Sequence, residues 1–514
     1  MTQRTRLRLR FAAPHIMTRS KKFKKLRIAH IIAEVSPYSK VGGLGDVGYA
    51  LPKATTREGH EVIVITPYYG LVRKRNLQRE NISINKPVVI DGAEYPVSFR
   101  KHVSNDGLPI YFAVNEELFG SSVKVYRASE NDEALRWIFL AKAAILLLKQ
   151  INYKADIIHT HDWHGSIICN YLKSYYSGDE LFSKTATVFT IHNLNYQGTP
   201  RLYSAPKDKF DKGTGAPPEQ KGFRNYMNFA KRAIMNATVI NTVSERYAKE
   251  ILTAEFGSGL ENYLRRRKDR VFGIINGIDY EVINPAFDKN LYENYDVNSL
   301  EKKKKNKQLL QKEVGLTIKE ETPLIGIINR LTEQKGFKLI MEAMPILLKM
   351  DLQIVVVGSG RKDYLKFFRE TARKHRSKVG VYSPFTEQMA SRVYAGSDIY
   401  LMPSRYEPCG ISQLISLRYG SIPIVRSVGG LHDTVTQFDP RSDSGNGFVF
   451  QNYNKDDLLV AIAKAVESFK YQGSWTKLVA RAMKQSFSWD LPAKKYIELY
   501  QVALRIKSKE NGRR

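Results

Sequence analysis

The sequence predicts an α/β protein built from two domains with parallel sheets, and three observations carry that prediction. Short apolar runs that read as buried parallel strands recur along the chain, each closing on a loop and a helix start. The 514 residues exceed what one hydrophobic core ordinarily serves. Between residues 285 and 322 the pattern loosens into a charged stretch with a lysine run, which marks a boundary. The expected divisions are a basic extension (1–25), an N-terminal domain (26–284), a linker (285–322), a C-terminal domain (323–485), and a last helix with a tail (486–514).

In chain order, the first strand is LRIAHIIAEV, Leu26 to Val35, followed by SPYSKVGGLGDVGYALPKA. Gly42, Gly43 and Gly45 come directly after it, and a helix follows from Asp46. Lys40 therefore sits on a flexible loop at a helix start, where an ammonium and backbone N–H groups can meet a phosphate. The loop is neither a Walker loop nor a dinucleotide fingerprint. EVIVITP supplies the second strand. ADIIHTHDWHG then carries a strand ending at His159, with His161, Asp162 and His164 in the loop, and TATVFTIHNLNYQG repeats the device with His192 and Asn193. The histidine spacing lacks the carboxylates of a metal site, so these groups read as polar sugar contacts or structural histidines. Residues 207–221, rich in Gly, Pro and Lys, read as a mobile lid. VFGIINGID closes the first series on Asn276.

The second series opens with PLIGIINRLTEQKGF. Arg330 and Lys335 share its strand-to-helix loop, where a planar guanidinium and a point charge can converge on a diphosphate. QIVVVGSG and KVGVYSPF add strands, the latter ending at Phe385. DIYLMP is the next strand, and SRYEPCGISQLISLRYG leads through Glu407, Cys409 and Gly410 into a helix. IPIVRS then runs into Ser427, Gly429, Gly430 and Leu431. Ligands of open parallel sheets gather outside the carboxyl ends of strands, so Glu407 and the 427–431 turn are expected to face one crevice. A carboxylate beside an anion nest suits a nucleotide sugar.

Composition narrows the partners. The formal net charge of +30 favours anionic substrates or neighbours. The basic runs at 265–268 and 302–305 lack interleaved aromatics, so they read as solvated faces and no specific nucleic-acid partner is expected. Two cysteines, Cys169 and Cys409, in unlike contexts point to a reducing, cytoplasmic compartment without a disulfide framework. The longest apolar segment, Ile138 to Leu148, is interrupted by Lys142 and is too short to span a bilayer, so no membrane partner is expected. Residues 1–25 read as a basic tail rather than a targeting signal.

Together the blocks KVGGLGDV, HTHDWH, TIHNLNYQG, NGIDYEVINP, NRLTEQKGF, SRYEPCG and SVGGLHDTV, in this order, resemble the glycogen/starch synthase family over Leu26 to Leu504. The resemblance implies a GT-B architecture, two Rossmann-like domains across a deep cleft with the last helix crossing back. It implies a retaining glucosyltransferase that extends α-1,4-glucan with ADP-glucose, or in some members UDP-glucose, without metal or other cofactor. Lys40, Gly42, Gly43 and Asp46 match the donor-phosphate loop; Asp162 and His192 match residues that line the sugar pocket; Asn276 matches one that reaches the donor from the domain edge. Arg330 and Lys335 match the pair that neutralises the departing diphosphate. Glu407 is the key carboxylate, with Cys409 and Gly410 beside it, and Ser427, Gly429, Gly430 and Leu431 form the turn expected to hold phosphate by backbone N–H. Phe385 stands where many relatives have tyrosine under the adenine, and Val428 where threonine is usual. The rivals are another GT-B transferase, such as one making sucrose phosphate, and a catalytically silent glucan-binding protein. Oligomeric state is left open.

Overall fold

The computed structural model describes residues 24–75, 77–120, 124–126, 133–199 and 211–512. Nearly all of the basic extension, and the first part of the 207–221 segment, lie outside them.

Two twisted sheets form the frame. The N-terminal sheet has nine strands in the order Val271–Gly273, Val239–Thr242, Ala186–Ile191, Ile157–His161, Arg27–Ile31, Glu61–Pro67, Pro109–Val114, Ser98–Val103, Glu80–Ser83. Its first seven are parallel and its last two pair antiparallel. The C-terminal sheet has six parallel strands, in the order Val379–Tyr382, Gln353–Val357, Leu324–Ile328, Ile399–Met402, Ile422–Arg426, Phe448–Phe450. The central strands are buried along their whole length, as their unbroken apolar runs require of sheets covered on both faces. Helix Glu133–Gln150 is apolar on nearly every side and is accordingly sunk into the N-terminal core; Glu133 secures its first turn by accepting from Arg136 at 2.8 Å and from Trp137 Nε1 at 3.0 Å.

The last helix, Asp490–Asn511, leaves the C-terminal domain and packs on the N-terminal core through Ala493, Tyr496, Leu499, Tyr500 and Ala503, so the crossing helix is present. The linker is not. Tyr295 is buried in the C-terminal core, and helix Glu301–Glu313 lies against helix Glu387–Gly396, with Leu310 over Gly396. Residues 285–322 therefore belong to the C-terminal domain, because Leu310 and Leu316 need its core to bury them. The lysine run also differs from expectation. Lys302, Lys304 and Lys305 are exposed, whereas Lys303 is buried, donating to the carbonyls of Ala395 (2.6 Å) and Ser397 (2.9 Å), and buried Lys307 pairs with Asp398 at 2.7 Å. Burial pulls the Lys303 ammonium down to about 7. The described part of the 207–221 segment is strapped rather than lid-like: buried Arg232 pairs with Asp211 at 2.7 Å and caps the carbonyls of Thr214, Gly215 and Ala216.

No helix among the described residues is long and apolar enough to cross a membrane.

Candidate active site

Glu407 lies in the loop after strand Ile399–Met402 and is 6% exposed. Its Oε2 accepts from Lys335 Nζ at 2.6 Å and Ser404 Oγ at 3.0 Å, which leaves Oε1 for a ligand. The Lys335 loop and the Glu407 loop thus meet. Arg330 stands exposed in the same loop as Lys335.

The glycine turn does something else. The Gly430 amide donates to the carbonyls of Glu407 (3.1 Å) and Pro408 (3.2 Å), the Leu431 amide to Val428 O (3.1 Å), and the Gly429 amide to the Glu250 carboxylate (3.1 and 3.2 Å). Gly429, Gly430 and Leu431 were expected to offer a nest of open amides; here all three have protein acceptors. The glycines instead permit close approach. A Cβ on Gly429 would sit 1.9 Å from Glu407 O, and one on Gly430 1.8 Å from Cys409 O. The turn is a bed on which the Glu407 backbone rests. Gly430→Ala should therefore destabilise the domain by about 3 kcal/mol, at the upper end for overpacking, and displace Glu407; urea unfolding together with glucosyl transfer would reveal this, and wild-type values for both would refute it. Ser427 Oγ bonds His432 Nδ1 at 2.8 Å, and Val428 is buried in the core.

Cys409 is buried beside the Asn276 side chain, and burial pushes its thiol up to about 12, too high for a nucleophile at neutral pH. Asn276 is 4% exposed, with its Oδ1 lacking a protein donor. Gly410 adopts φ +70°, in the left-handed region that favours glycine. Phe385 keeps a face free, being 48% exposed.

On the facing domain, Lys40 pairs with Asp46 at 3.0 Å and reaches toward Glu387 of the C-terminal domain at 3.9 Å. Gly43 lies so near the start of helix Ser412–Arg418 that a Cβ would touch Ile411 at 2.9 Å, so the Lys40 loop and the Glu407 loop line the same narrow cleft. Glu34, which the motif reading passed over, pins that loop: one carboxylate oxygen accepts the amides of Val41 (2.7 Å) and Gly42 (2.9 Å), and the other the Tyr126 hydroxyl. A lone acid at the end of an apolar strand was the available signal, since the loop's amides needed an acceptor.

The strand Ile157–His161 runs on past His159, and Asp162 follows it at φ +51°, an uncommon backbone for a non-glycine residue and one that recurs at functional sites. Asp162 accepts the amides of His192 (2.7 Å) and Asn193 (3.4 Å), which joins the two predicted sugar-pocket residues. Burial raises its carboxyl to about 7. His192 Nε2 bonds His161 Nδ1 at 3.1 Å, and His161 Nε2 bonds His30 Nδ1 at 3.0 Å, a file of imidazoles running from half-buried His192 to fully buried His30. His159 is held by Tyr500 of the crossing helix (2.9 Å) and Thr190 (2.7 Å). His30, His159 and His161 bring ring nitrogens within 4.8 Å of one another, but both nitrogens of His159 and His161 already have protein partners and among the described residues no carboxylate joins them, so the set does not suit a divalent cation. Burial holds His30, His164 and His192 down to about 3, and His159 and His161 well below the usual range.

The comparisons with known proteins agree over the whole frame. The family profile described as starch synthase catalytic domain matches residues 27–266, and that of glycosyl transferases group 1 matches residues 310–479. The chain is 41% identical over 493 residues to a glycogen synthase of Pseudothermotoga lettingae, covering 94% of this chain and all of that one. It is 41% identical over 490 residues to a glycogen synthase of Geotalea daltonii, with 94% and 100% covered. Among solved structures it resembles the catalytic domain of starch synthase IV from Arabidopsis thaliana bound to ADP and acarbose, with TM-score 0.82 and 32% identity over 94% of this chain and 100% of that one. A sucrose-phosphate synthase of Thermosynechococcus elongatus shares the fold at TM-score 0.55 and 16% identity, covering 93% of this chain and 98% of that one.

Proposed function

Because the chain belongs to the glycogen/starch synthase family of GT-B glycosyltransferases, we propose that it extends α-1,4-glucan from ADP-glucose with retention at the anomeric carbon. The family assignment carries glucan chain extension; donor and stereochemistry rest on the site. The observation that supports them most is the Lys335–Glu407 pair at 2.6 Å, on a loop that meets the Lys40 loop of the other domain where Gly43 approaches Ile411. The ADP in the starch synthase IV structure supports an adenine donor here, for which the exposed face of Phe385 is a stacking platform.

Transfer breaks the bond between C1 of glucose and the diphosphate and forms one from C1 to the 4-hydroxyl of the acceptor end. Positive charge grows on the sugar and negative charge on the leaving oxygen. Arg330, Lys335 and Lys40 meet the latter; preorganised contacts of this kind are worth about 3–4 kcal/mol each. Glu407, buried and tethered, meets the former. Retaining glycosidases use a second carboxylate about 5 Å away as nucleophile, but here Asp162 is tied to two amides and held partly protonated. A front-face route fits better, with the leaving phosphate taking the proton of the incoming hydroxyl. His192, neutral and fixed through Nε2, has Nδ1 left to orient the sugar.

The test is transfer of labelled glucose from ADP-, UDP- and GDP-glucose onto glycogen, with and without a chelator. ADP-glucose should be the preferred donor, with the chelator without effect because cationic side chains meet the diphosphate. Preference for UDP-glucose would correct the donor. No transfer from any donor would leave the silent glucan-binding protein as the reading.

A further inference from the structure

The Glu250 contact with Gly429 is one half of a reciprocal arrangement. Helix Glu245–Glu250 belongs to the N-terminal domain and helix Gly429–Thr434 to the C-terminal domain, and the two pack across the cleft. Glu250, at the end of the first, gives its carboxylate to the Gly429 amide at 3.1 and 3.2 Å. Asp433, near the end of the second, gives its carboxylate to the Arg246 amide at 3.0 Å. Each helix thus supplies an acid to the other's first turn. Arg246 Nε holds Glu250 in place at 2.9 Å, and Glu250 is 6% exposed.

We propose that Glu250 and Asp433 are positioning residues that clasp the two domains in the closed arrangement needed for transfer. The proposal rests on the reading of the cleft as the transfer site. It assigns the Gly429 amide to domain closure, and it links closure to chemistry by one turn of chain: Gly430, next to the clasped amide, donates to the Glu407 carbonyl. Opening the clasp frees the bed under Glu407 just as the Lys40 loop withdraws. The Glu250 half is shielded from water and holds more firmly than the Asp433 half, which faces solvent.

The experiment compares the full chain with the double variant Glu250→Ala/Asp433→Ala and with Glu250→Gln/Asp433→Asn, which keeps an acceptor oxygen at each site. Small-angle scattering in the presence of ADP reads the domain arrangement, and hydrogen exchange reads the Gly429 and Arg246 amides. The alanine pair should scatter as a more open particle and exchange these amides about tenfold faster. If it leaves a tenth of the molecules closed, donor KM should rise about tenfold while kcat at saturation recovers, because bound donor pulls the cleft shut. The amide pair should behave as the natural chain does. Unchanged scattering and exchange in the alanine pair would overturn the clasp. If that pair does not fold, Asp433→Ala alone, at a solvent-facing position, is judged by the same readouts. Should the natural chain transfer glucose from no donor, the functional reading fails, yet scattering and exchange still decide the clasp.

Discussion

Acidification from pH 7.5 to pH 5 should remove most of the stability of the N-terminal domain. Five histidines, the buried His30, His159, His161 and His164 and the half-buried His192, are held neutral by the cost of charging them away from water. Their folded pKa values lie below the unfolded 6.5, so the unfolded chain binds more protons between about pH 3 and 6.5, and stability falls as pH falls through that window. At pH 5 each histidine favours the unfolded chain by about 2 kcal/mol, or about 10 kcal/mol for five. Asp162 works the other way. Its carboxyl is raised to about 7 by burial, so stability falls as pH rises from about 4 to 7, and going down to pH 5 returns about 3 kcal/mol. The histidines win by about 7 kcal/mol, comparable to the whole stability of many domains. Urea unfolding at half-unit pH steps would read this directly. A free energy of unfolding that is flat between pH 7 and 5 would mean that these rings are not buried neutral.

Glu407→Gln should lower kcat about 10³-fold, equivalent to about 4 kcal/mol of lost transition-state stabilisation. The substitution keeps the shape and an oxygen for Ser404 Oγ, so the loop stays in place and the effect is one of charge. Donor KM should hold steady or fall, because Lys335, relieved of its carboxylate, turns its charge wholly to the diphosphate. That split, kcat lost and KM kept, separates an electrostatic role in the transition state from simple donor binding. Glu407→Ala should lose at least as much and also destabilise the loop, since Lys335 and Ser404 lose their common partner. A glutamine variant retaining a tenth or more of the natural kcat would show that Glu407 is not the group that meets the developing sugar charge.

Much of this molecule was legible in the chain. Unbroken β-branched runs bounded by glycine, proline and polar loops can only be strands of sheets covered on both faces, and their repetition over more than 500 residues requires two cores. Arg330, Lys335 and Glu407 could be singled out because each follows a strand end, where local order already fixes the loop, and of the three the structure joins Lys335 to Glu407. The 285–322 segment misled for the opposite reason: a lysine-rich helix looks solvated until Lys303 and Lys307 are seen reaching carbonyls and an acid more than ninety residues away.

The sequence by itself determined the strands, the two domains, the order of the loops and the identity of the charged groups at their tips, because these depend on periodicity and on residues close in the chain. Only the tertiary structure decided which groups share a bond. It filed His30 and His161 behind His192 and gave the Gly429 amide to Glu250. Those pairings join residues up to 179 positions apart. No local pattern encodes them, because a buried amide or imidazole requires a partner without specifying which distant segment supplies it.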